Sequence, residues 1–169
     1  MEKQTKNMDA LACLRTRRSI RRYTDEPVTD EELRTLLDAA FCAPSACNFR
    51  PCDFVVVRSQ PTREALAEAS QFAKMLPRAP LCLVVCGDTK KQPVRELLVN
   101  DASAAVENIL LAAHAIGLGA VWLGVHIGEG WYGALREELQ LPENVLPLAG
   151  IAIGHPGEER DVPERYVDS

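Results

Sequence analysis

Arginine fills five of the eight positions from 15 to 22 (Arg15, Arg17, Arg18, Arg21 and Arg22), in a chain whose net charge is −5. Cations packed this closely on one short segment repel one another. A multiply charged anion seated among them relieves the repulsion, and the planar guanidinium fork matches phosphate oxygens in particular. On a helix or turn, Arg17 and Arg21 share a face, and Ser19 adds a small hydroxyl donor. The motif RRSIRRY at 17–23 therefore reads as a holder for a terminal phosphate, with reach toward a polar chain or ring edge.

A second segment, APSACNFRP at 43–51, sets two prolines around small polar residues. Such a loop is stiff and offers Ser45 and Asn48 at fixed positions. Alone it reads as an anion-binding loop only modestly ahead of a solvated turn. Other patterns fail their tests. Gly117, Gly119 and Gly124 follow a predicted helix and flank a predicted strand, the reverse of a dinucleotide-binding turn. Ser45 sits in no nucleophile elbow, and no Walker loop is present. His114, His126 and His155 lack metal spacing and read as structural or exposed. Cys42, Cys47 and Cys52 lie five apart, which matches no zinc pattern, and Cys82 and Cys86 belong to a buried-strand run, LCLVVC. No metal site and no disulfide is expected.

The elements that must position these residues follow from periodicity and punctuation. A short helix is predicted over 9–16, leading into the arginines. Thr29 is an N-cap with Glu32 three residues on, and a helix follows through Leu33, Leu36, Leu37 and Ala40, ending near Pro44. Strands are predicted at 54–58, 81–86, 120–125 and 148–153, and helices at 62–70 and 131–139. The run from 99 to 116 is apolar nearly all round, interrupted by Ser103, Glu107, Asn108 and His114. Such a helix must be covered on every side, either by its own sheet and helices or at a subunit interface; the alanines favour the interface. Gly117 caps it. Helices and strands mix without a regular βαβ beat, which predicts an α+β fold with a mostly antiparallel or mixed sheet.

The 169 residues fit one domain, 1–169, with a loose end at 1–7. At 47% hydrophobic residues the chain can build a core without staples. No stretch approaches the roughly 20 apolar residues of a membrane span. The N-terminus, MEKQTKNMDA, lacks the apolar centre of a secretory signal, which predicts a cytoplasmic protein. An isoelectric point near 5.3 argues against nucleic acid as a partner.

Four segments in order resemble the nitroreductase family of flavin enzymes: RRSIRRY, APSACNFRP, NDASAAVENILLAAHAIGLGAVWLG and PLAGIAIGHP. The resemblance covers almost the whole chain. It implies an α+β homodimer with FMN at each subunit interface, using NAD(P)H to reduce nitroaromatics, quinones or similar small acceptors by alternating reduction and oxidation of the flavin. It implies that Arg17, Arg18, Ser19 and Arg21 meet the phosphate, ring edge and ribityl side. Pro44, Ser45, Ala46 and Asn48 match the loop that the second subunit lays against the flavin. Leu123 and Gly124 match the strand end beside the ring, and Arg160 or Arg165 completes the phosphate site. No side chain is expected to act as a catalytic acid or base, because the flavin carries the chemistry. Arg50 and Cys52 stand where the family often has glutamine and tryptophan, which puts a cation on the substrate side and implies a substrate face that either favours anions or is wider than usual. Two other readings remain open: a family member with a specialised reaction such as dehalogenation, dehydrogenation or flavin chemistry, and a colourless, non-enzymatic anion-binding module.

Overall fold

The computed structural model describes residues 8–164. Five helices and four strands follow in the order α1 (Ala10–Thr16), α2 (Asp30–Phe41), β1 (Cys52–Val57), α3 (Gln60–Glu68), β2 (Leu81–Asp88), α4 (Arg95–Ala115), β3 (Gly119–Gly124), α5 (Gly130–Glu138) and β4 (Val145–Gly154). The strands form one antiparallel sheet in the order β1-β2-β4-β3. The α+β class and every predicted element are present, with ends displaced by a few residues.

The sheet is covered on both faces because its central strands are apolar on both. In β2, Leu81, Leu83 and Val85 join Leu36 and Ala40 of α2 and Val106 and Ile109 of α4 in one cluster. Their neighbours Cys82, Val84 and Cys86 join Leu66 of α3 and Trp131 and Leu135 of α5 in the other. Alternate side chains of a strand point to opposite faces, so one unbroken apolar run feeds two cores. Burial pushes the thiols of Cys82 and Cys86 up to about 12, which keeps them protonated and inert at neutral pH.

Local chemistry sets the helix starts. Asp9 caps α1 through Leu11 N at 2.8 Å. Thr29 and Glu32 form a reciprocal box at α2: Glu32 N donates to Thr29 Oγ1 at 3.1 Å, and Thr29 N donates to Glu32 Oε2 at 2.8 Å. Gly150 leaves the space that Trp131 occupies, since a Cβ there would lie 2.7 Å from the indole Cη2.

Helix α4 settles part of the question its sequence raised. It packs on α2 and on the sheet through Leu98, Ala102, Ala105, Val106, Ile109 and Ala113. Its own domain thus covers one side. Leu97 and Val99 stay 37% and 40% exposed, and Ala104 and Leu111 are only half-buried. Among the described residues no helix is long and apolar enough to cross a membrane.

Candidate functional site

The arginine motif is extended, not helical. Helix α1 stops at Thr16, and Arg17 already has φ −55° and ψ 131°. Tertiary pairing explains this. Ser19 bridges Ala120 of β3 in parallel, and Ile20 N donates to the Ala120 carbonyl at 3.0 Å. Gly119 permits the approach: a Cβ there would meet Ile20 Cγ2 at 2.7 Å. The Tyr23 hydroxyl then donates to the Ile20 carbonyl (2.6 Å) and lies 3.1 Å from the Ala152 carbonyl, and burial pushes its ionisation well above the usual phenol range. Thr24 N donates to the His155 carbonyl at 3.0 Å and Gly157 N to the Arg22 carbonyl at 2.9 Å.

This pairing draws the segment after β4 alongside the arginines. Arg17, Arg18 and Arg160 line one cavity of 420 Å³, walled also by Leu110, His114 and Gly119. Arg17 Nε lies 3.6 Å from Glu107 Oε1. Arg18 Nε donates to the Asp161 carbonyl at 3.0 Å. Glu158 stands at the cavity rim as an internal anion. Its Oε1 accepts from the backbone N–H of Arg21 (2.7 Å) and Arg22 (3.2 Å), and its Oε2 lies 2.7 Å from Arg160 Nη2. The Arg21 amide, and then the Arg160 charge, hold its carboxyl below the usual range. Ser19 is half-buried and the Arg21 side chain is exposed; neither lines the cavity. Arg165 lies outside the described residues.

The loop at 43–51 is tighter than its sequence indicates. Cys47, Asn48 and Arg50 have φ of 52°, 55° and 48°, a left-handed conformation that costs a non-glycine residue about 1–2 kcal/mol each. Asn48 N donates to the Ser45 carbonyl (2.9 Å), Arg50 N to Ser45 Oγ (3.0 Å) and Arg50 Nε to Asn48 Oδ1 (3.1 Å). The anchor comes from α4: Asp101, 6% exposed, accepts from Ala46 N at 2.8 Å through Oδ1, while its Oδ2 is buried without a partner. Pro44, Ser45, Arg50 and Cys52 line a cavity of 360 Å³ with Phe41 and Phe54, whose rings pack edge to face at 5.1 Å. Ala46 and Asn48 do not line it. Burial, then Asp101 and Asp53, push the Cys52 thiol up to about 11. Asp101→Ala should lower stability by about 1–3 kcal/mol, because it strands the Ala46 amide. Asp101→Asn, which keeps an acceptor oxygen, should restore most of that loss. Denaturant midpoints and hydrogen exchange at Ala46 check both, and equal behaviour of the two variants would contradict the anchor.

Leu123 is buried at the end of β3, whereas Gly124 faces open space, with nothing within 4 Å of a built Cβ. Gly124 lines a third cavity, of 250 Å³, with Trp122, Ser103 and His126. The chain therefore holds the expected residues in three places. Sequence reasoning missed Asp101 and Glu158 and read His114 as structural or exposed. Asp101 and His114 both interrupt an apolar helix, where a polar group is costly; Glu158 carries no local signal.

A three-layer α+β fold, an arginine-lined cavity at the sheet edge and a proline-bounded loop anchored to the central helix define the class. The chain belongs to the nitroreductase family, whose description matches residues 14–72 and 72–155. It is 45% identical, over 92% of its length and 90% of the relative's, to an Archaeoglobus fulgidus protein provisionally named NADH dehydrogenase/NAD(P)H nitroreductase. A Parabacteroides distasonis crystal structure of the same provisional name superposes with a TM-score of 0.89 at 37% identity, covering 94% of this chain and 93% of that one. A Desulfovibrio desulfuricans protein provisionally named a nitroreductase, crystallised with FMN, superposes with a TM-score of 0.83 at 36% identity, covering 95% of this chain and 93% of that one.

Proposed function

We propose that this protein is an FMN-dependent oxidoreductase that uses NAD(P)H to reduce nitroaromatics, quinones or similar small acceptors, working as a homodimer of single-domain subunits. The observation that carries the reading is the convergence of Arg17, Arg18 and Arg160 on one cavity, in a fold shared with an FMN-bound relative. Three guanidinium groups suit the phosphate end of FMN. The open face of Gly124 suits a flat ring that a side chain would displace. Bound FMN supplies the hydride-accepting centre, so no acid–base pair is required of the chain.

The remaining roles belong to the protein. Arg17, Arg18 and one of Arg160 and Arg165 neutralise the phosphate, while Ser19 and Arg21 serve the ribityl and ring-edge side. Leu123 and Gly124 present backbone to the ring. Pro44, Ser45, Ala46 and Asn48 of a second protomer close the site, and the uncovered strip on α4 gives that protomer an apolar surface to dock on. Arg50 faces the acceptor. A homodimer accounts for the separation of these residues within one protomer.

Purified protein should be yellow, with flavin absorbance bands released on denaturation. It should oxidise NADH or NADPH when a quinone or nitroarene is supplied. A colourless protein that takes up no FMN at saturating supply would end the proposal. A yellow protein inert toward every such acceptor would point to a specialised reaction in its place.

A further inference from the structure

The cavity that gathers Arg17, Arg18 and Arg160 has a fourth basic group on its wall, His114 in the last turn of α4. The ring is fixed from one side: His114 Nε2 lies 2.8 Å from Thr16 Oγ1. The Thr16 hydroxyl has one proton, and its shortest acceptor is the Ala12 carbonyl at 2.7 Å. Thr16 Oγ1 therefore accepts from His114, and Nε2 is the protonated nitrogen. Nδ1 has no hydrogen-bond partner among the described residues. In the neutral ring it is a bare lone pair; in the charged ring it becomes a second N–H donor. A phosphate dianion offers only acceptors, so only the charged ring matches it.

The charges around the ring set the coupling. Cys13 and Thr16 stand on α1, Arg17 and Arg18 on the segment after it, Glu107 on α4 itself, and Glu158, Glu159 and Arg160 beyond β4. Burial first, and then Arg17 and Arg18, keep the ring below its ordinary titration value. An anion lodged between those arginines offsets their field and attracts the imidazolium.

We infer that His114 is a further phosphate-binding residue of this cavity, taking up a proton as a phosphate monoester dianion binds. Within the reading above, that monoester is the phosphate of FMN. The sign follows from linkage. Protonation is harder in the free protein than in the complex, so affinity is flat at high pH. It rises as pH falls through the value in the complex, and levels below the value in the free protein. The gain is about tenfold for each pH unit separating the two.

The phosphate's own second ionisation near pH 6 weakens binding over the same range, so wild type must be compared with a variant. His114→Gln keeps an N–H for Thr16 and cannot take up the proton. The ratio of the variant's FMN dissociation constant to that of wild type should grow at least about fivefold from about pH 8 to about pH 5.5. A flat ratio overturns the assignment. NMR titration of the His114 ring in the intact wild-type protein gives a reading independent of the variant. Inorganic phosphate and FMN should both raise its midpoint, and riboflavin should not. An unresponsive ring, or an equal response to riboflavin, also overturns it. A protein that binds no FMN while its His114 responds to inorganic phosphate keeps this site and loses the flavin function; one that binds FMN with His114 unmoved does the reverse.

Discussion

Arg17→Ala should raise the dissociation constant of FMN by about ten- to a hundredfold, because a charge-assisted contact to phosphate contributes about 1.5–3 kcal/mol. The fold should survive. The one ion pair lost among the described residues, with Glu107 at 3.6 Å, is partly exposed on both sides, and such pairs contribute about 0–1 kcal/mol. Arg21→Ala, also expected from the sequence to weaken retention, should do so less. The Arg21 side chain is exposed and off the cavity, and it is the Arg21 amide that Glu158 holds. Fluorescence titration of FMN against both variants measures the difference. Wild-type affinity in Arg17→Ala would remove this residue from the phosphate site.

Trp131→Ala should cost about 3–5 kcal/mol, the range for deleting a large buried aromatic. The indole is 8% exposed, donates to the Leu66 carbonyl at 2.9 Å and fills the hollow over Gly150. For a domain of this size, each kcal/mol lowers the melting temperature by about 2–4 °C, so a fall of roughly 6–20 °C is expected. FMN affinity of the folded fraction should shift only through Leu123, which shares the Trp131 cluster and pairs with Gly150, and the grip on the phosphate should be spared. Trp131 belongs to the core on the face opposite α4, away from Leu110 and His114. Thermal melts and flavin titration separate the two effects. A loss under about 1 kcal/mol would mean that α5 is not packed as described.

What was legible in the sequence was whatever depended on neighbours along the chain. Thr29 and Glu32 announced α2, and the structure has their reciprocal bonds. The apolar run LCLVVC announced a strand buried on both faces, and β2 is one. The arginine segment misled because its geometry is set from afar. Its spacing allows a helix, but Ser19 and Ile20 pair with Ala120, and that contact outweighs local preference. A second long-range pairing is why Arg160 could be named and not placed, since its position depends on 155–157 lying against 22–24. The loop at 43–51 announced stiffness through its prolines. Left-handed Cys47, Asn48 and Arg50 could not be foreseen, as glycine is the residue that ordinarily signals that conformation. The third element that no local pattern marked was the turn at Leu76–Arg78, which Arg63 braces by donating to the Leu76 carbonyl at 2.9 Å.

Helix α4 carries Asp101 toward one end and His114 at the other. At 1.5 Å per residue they sit about 20 Å apart along a single strut. The grip on the proline loop and the grip on the arginine pocket are therefore not free to drift independently. A proline introduced midway, which would kink the rod, should disturb the far-off turn and the anion cradle together. Whatever tilts this beam is felt at both of its bearings, so flavin seating and loop posture ought to shift in concert.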